Sequence, residues 1–122
     1  MYITVLLILA ATPLLDAIDD ANMALTTYGF AAYREADGQD QPVFQFRRTL
    51  ESRCADQLAQ MRELSVQFNM GRKGLSRGAA ESAADGLMTD FRAGLIRQYS
   101  QRDKIRAQVQ ALDRAMREEE EK

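Results

Sequence analysis

Gly71-Arg72-Lys73-Gly74-Leu75-Ser76-Arg77-Gly78 is the most chemically suggestive stretch of this chain. Its glycines permit unusual backbone angles, and three of its side chains are cationic. Ser76 is placed to cap a following helix whose first amides would face the same point. Arg72, Lys73, Ser76 and Arg77 are therefore the candidate anion-binding set, for a phosphate or an anionic lipid head group. The spacing is not that of a Walker loop, which needs Gly-Lys-Ser/Thr in series after four intervening residues and a preceding strand. The plainer reading is a solvated turn between two helices, the first ending at Gly71.

The other reactive residue types are sparse. Asp16, Asp19 and Asp20 lack a calcium-loop spacing and its glycine, so no metal site is expected. Cys54 is the only cysteine, which excludes an internal disulfide, and its place on an apolar stripe points to a buried thiol. Histidine is absent and nothing groups the scattered carboxylates, which removes most metal, thiol and triad chemistry. The expectation is a protein that is not an enzyme, with no catalytic residues and no cofactor.

Surfaces are the better lead. Ile105, Val109, Leu112 and Met116 follow one another by four, three and four, a coiled-coil-like spacing. They are the candidate interaction residues, for a protein partner or for self-association.

The elements that must position these groups read as helices. Phe46, Leu50, Cys54, Leu58, Met61, Leu64 (or Ser65) and Phe68 form one apolar stripe, predicting a helix over about 43–70. A second helix over about 76–117 carries Leu87, Phe91, Leu95 and Tyr99, then the candidate interaction residues. The polar segment from Ser100 to Lys104 breaks or shifts its stripe. Because this helix outlasts its partner, its end is expected to project. A shorter helix over about 16–36 shows a narrow stripe of Ile18, Ala21, Leu25, Tyr28 and Ala32, with its aspartates in the first turn. Asp37 to Pro42 reads as a turn, with Asp40 capping the next helix. Gly78, Ser82, Gly86 and Gly94, spaced by four or a multiple of it, predict tight contact with the alanine-rich first helix.

Charge is unevenly distributed. Residues 1–42 carry net −5, residues 43–117 net +6, and the tail 118–122 net −3. Such asymmetry reflects either an anionic partner for the middle or one part of the protein neutralising another; the second is preferred. The bases are spread around the helices without aromatic interleaving, so nucleic acid is not the expected partner.

Tyr2 to Leu15 is uncharged and almost wholly apolar. Three readings stand: an export signal cleaved near Ala17, a membrane anchor over residues 2–18, or a helix of the core. A signal peptide fits the length but lacks a basic start. An anchor is short of the roughly 20 residues a span needs. Pro13 is expected to disturb the last turn of the segment.

These readings combine into an all-α protein, a small helical bundle built on a long antiparallel helical hairpin with a projecting coiled-coil end. Residues 1–17 form the signal or anchor segment, 18–117 the helical domain, and 118–122 an acidic tail. The expected function is a non-enzymatic helical interaction or structural role, exported (periplasmic) or attached to an inner membrane. The alternative is a soluble, cytoplasmic protein that binds an anionic partner, nucleic acid or lipid head group, through the 71–78 turn and the Arg-rich middle.

Overall fold

The computed structural model describes the backbone of residues 2–122 and the side chains of residues 13–122. The protein is all-α among these residues: α1 (Tyr2–Gly38), α2 (Val43–Arg53), α3 (Ala55–Gly71), α4 (Arg77–Ser100) and α5 (Arg102–Glu120). The signal, anchor or core expectation for the N-terminal segment rests on side chains up to residue 12, which lie outside the described residues. Among the described residues no helix is long and apolar enough to cross a membrane.

The chain runs up, down and up again. α1 rises and turns at residues 39–42, α2 and α3 descend, and α4 rises beside α1. Cross-contacts fix these directions: Gly29 of α1 meets Phe91 and Leu95 of α4, and Arg62 of α3 pairs with Asp85 of α4 at 2.6 Å. Glu51 of α2 pairs with Arg92 of α4. One core cluster runs up the bundle through Ala21, Leu25, Ala32, Ala36, Phe46, Leu50, Cys54, Leu58, Met61, Met88, Leu95 and Tyr99. A smaller one, Val66 with Ala80 and Ala84, closes the lower end under Leu75.

Several boundaries differ from the expectation. α1 begins at Tyr2 and runs through Pro13, so Asp16, Asp19 and Asp20 are mid-helix and exposed rather than in a first turn. The predicted helix over 43–70 is interrupted at Cys54, where φ is −112° and ψ is 11°. The interruption is one residue long. Cys54 still donates its amide to Leu50, and Leu58 donates to Cys54 at 2.8 Å, so the apolar stripe continues across it. The helix over 76–117 is divided at Gln101, inside the polar segment where the stripe shifts.

Asp40 does not cap α2. Instead it ends α1 in the left-handed conformation, φ 51°. Gln41 donates its amide to Ala36 and Asp40 donates to Asp37, the paired bonds of a Schellman motif. Aspartate tolerates that backbone region better than most residues because its short polar side chain bonds locally. Pro42 then precedes α2, with no side-chain cap.

The small-residue expectation for α4 is also overturned. A Cβ on Gly78, Gly86 or Gly94 would meet nothing within 4 Å among the described residues, and Ser82 is exposed. Close approach uses Ala80 and Ala84 instead, and their neighbour is Val66 of α3, not α1. The tight contact with α1 is made by Gly29, where an added Cβ would lie 3.1 Å from Leu95 and 3.2 Å from Phe91. Tyr28, expected on the buried stripe, is 47% exposed. The true face steps through 18, 21, 25, 29, 32 and 36, which averages the 3.6 residues of a helical turn.

Candidate functional site

At the upper end of the bundle the turn between α1 and α2 meets the end of α4. Tyr99, fully buried, stacks on Phe46 with ring centroids 4.2 Å apart and meets Tyr33 edge-on at 5.4 Å. Its hydroxyl donates to the buried Gln41 carbonyl. Burial pushes that hydroxyl above its ordinary pKa, and the nearby Arg102 guanidinium partly offsets the effect.

α5 starts on this platform. The Arg102 guanidinium lies 4.2 Å over the Tyr99 ring, a cation–π contact, and donates to the Tyr99 carbonyl at 3.1 Å. It also pairs with Asp37 at 3.3 Å and with Asp40 at 3.4 Å. One turn on, Arg106 donates to both oxygens of Asp37, the shorter bond being 2.8 Å. Arg102 and Arg106 therefore hold the start of α5 to α1, the α1–α2 turn and α4.

Past this base α5 packs on no other helix among the described residues. Every residue from Asp103 to Lys122 is exposed. The fourteen residues after Arg106 extend roughly 20 Å at 1.5 Å per residue. The candidate residues Ile105, Val109, Leu112 and Met116 fall on one face and are 38%, 54%, 60% and 56% exposed. The structure thus brings the four predicted interaction residues together as a single apolar stripe on an otherwise polar helix.

The turn between α3 and α4 is arranged differently. Ser76 is the N-cap of α4, its hydroxyl accepting from the Ala79 amide at 3.2 Å. Gly74 has φ 65°, which a side chain would strain, and Leu75 donates its amide to Asn69. Arg77 pairs with Glu81 at 2.9 Å and with Glu63 at 3.9 Å. Two of the four candidate anion ligands are thus engaged within the fold. Arg72 and Lys73 are exposed, with no acidic partner among the described residues, and they form no enclosed cradle.

The acidic N-terminal third meets the basic middle directly: Glu35 pairs with Arg53, and Asp37 and Asp40 with Arg102 and Arg106. Bonding from Arg53 holds the Glu35 carboxyl below its usual range, and Arg62 does the same for Asp85. Among these, Arg102 and Arg106 anchor the start of α5, a role the sequence did not assign to them. The signal available was the charge asymmetry, which called for neutralisation within the chain but named no pairs.

Cys54 is fully buried, and desolvation followed by the Glu51 charge raises its thiol pKa, the opposite of an activated nucleophile. Among the described residues no three metal-ligating side chains lie together. A surface hollow lined by Glu35, Phe44, Arg48, Thr49, Ser52 and Arg53 is shallow and open. Comparison with protein families, with characterised proteins and with solved structures gives no match to this chain.

Proposed function

We propose that this chain is a non-enzymatic helical interaction or structural protein that acts through helix–helix contacts, with α5 as its contact element. Its N-terminal apolar segment is the part of this reading that delivers it out of the cell interior or holds it at a membrane. The observation that supports the contact role is the four-residue stripe on α5. Burying a large apolar side chain is worth about 1.5–3 kcal/mol. Four such residues placed in register along one face, and left in water, stabilise nothing within the chain. A helix of this length is also marginal in water without tertiary packing. A partner surface accounts for both features.

The test is the double variant Val109→Asp with Leu112→Asp, made in the full-length chain and melted at high dilution. Both side chains are more than half exposed, so the melting temperature should stay within about 3 °C of the native protein, as for surface substitutions of about 0.5 kcal/mol or less. A drop of 10 °C or more at high dilution would mean that the stripe packs on its own bundle. The contact role would then be wrong.

A further inference from the structure

We infer that the occupant of the α5 stripe is the α5 of a second copy of this chain, lying antiparallel; this rests on α5 being a contact element. The register carries the argument. With Ile105 and Leu112 as d positions and Val109 and Met116 as a positions, the same spacing places Glu119 at d, while Arg102, the preceding a position, is held by Asp37, Asp40 and Tyr99 of its own bundle.

In an antiparallel pair each a residue faces a d residue. Ile105 then meets Met116, and Val109 meets Leu112. In a parallel pair each residue faces its own copy, which stacks Glu119 on Glu119 and sets the run Glu118 to Glu121 beside its duplicate. Like charges at this distance repel, and that penalty discriminates against the parallel form.

The flanking positions agree. The e residues are Arg106, Asp113 and Glu120, and the g residues are Gln101, Gln108, Ala115 and Lys122. Antiparallel helices bring e against e, so Arg106 of each copy faces Asp113 of the other, twice per dimer. Parallel helices bring e against g, where Arg106, Asp113 and Glu120 meet the uncharged Gln101, Gln108 and Ala115 and nothing is gained. Arg106 is 54% exposed beside Asp37, and Asp113 is exposed. Charge complementarity therefore selects one orientation of one partner. The two bundles sit at opposite ends of the paired helices, clear of each other.

The experiment measures the monomer–dimer equilibrium of the full-length chain by sedimentation. The native protein should dimerise reversibly. Asp113→Arg alone and Arg106→Asp alone should each raise the dissociation constant on the order of tenfold, since two opposed pairs become two repelling ones. An equimolar mixture of the two variants should recover native affinity, because in the mixed dimer both crossings again join opposite charges. Recovery on mixing also separates pairing between copies from any local effect of losing the Arg106–Asp37 bond. Single variants that dimerise like the native chain overturn the antiparallel register. Failure of the mixture to recover overturns it as well. A native chain that stays monomeric at every concentration, while Val109→Asp with Leu112→Asp leaves its melting unchanged, overturns the second copy and leaves the contact role for another helix.

Discussion

Replacing Tyr99 by phenylalanine removes one oxygen from the upper end of the bundle and leaves everything else in place. The ring keeps its stack on Phe46 and its edge contact with Tyr33, so the apolar burial is unchanged. What is lost is the hydroxyl that donates to the carbonyl of Gln41, a residue only 7% exposed whose amide and side chain are bonded to Ala36, Gln39 and Thr49. A buried carbonyl deprived of a donor costs about 1–2 kcal/mol. For a chain of this size that lowers the melting temperature by roughly 4–10 °C. Thermal and urea unfolding followed by far-ultraviolet circular dichroism reads it directly. The pH dependence gives a second check. Burial raises the Tyr99 hydroxyl above its ordinary pKa near 10, so its contribution is present below that value and lost as pH rises through the raised one. The gap between native and variant should therefore narrow in strong alkali. A variant as stable as the native protein at neutral pH would show that water reaches Gln41, and the account of a sealed junction beneath α5 would fail.

Two further outcomes follow from the packing. Gly86→Ala should stabilise by about 0.8–1 kcal/mol, because the added methyl meets nothing and the helix gains propensity. Gly29→Val should destabilise by about 1–3 kcal/mol, since Leu95 and Phe91 already stand at the limit of contact with a Cβ there; chemical denaturation of both variants checks the pair. The Cys54 thiol, buried and with a raised pKa, should react with a thiol reagent at neutral pH only at the rate of unfolding. Labelling as fast as a free thiol would show that the break between α2 and α3 opens to solvent.

Periodicity made the helical class legible, because an apolar residue every three or four positions has one economical solution, a helix with one wet and one dry face. The chemistry-poor composition needed no structure either: a chain without histidine and with one buried cysteine has few ways to build a reactive site. The stripe of Ile105, Val109, Leu112 and Met116 was also visible, since it depends only on spacing within one helix. Its neighbours decided whether it was covered, and spacing does not identify neighbours.

Everything that required two helices to be placed together was settled by the fold. Tyr28 and Gly29 are equally compatible with a helical stripe, and the approach of Phe91 and Leu95 selected the glycine. The glycines of α4 looked like a packing face, yet Ala80 and Ala84 took that role because α4 turns them toward Val66. Arg77 and Ser76 looked like ligands for an anion, and the fold used them for Glu81, Glu63 and a helix cap. Arg102 and Arg106 were marked in the sequence only by the overall charge asymmetry, which names no pairs. Their role exists only because the end of α1 and the start of α5 arrive at the same height, where Asp37 and Asp40 stand beside Tyr99. Local order along one helix follows from the order of residues, whereas pairing between helices depends on rotations and heights that distant parts of the chain set jointly.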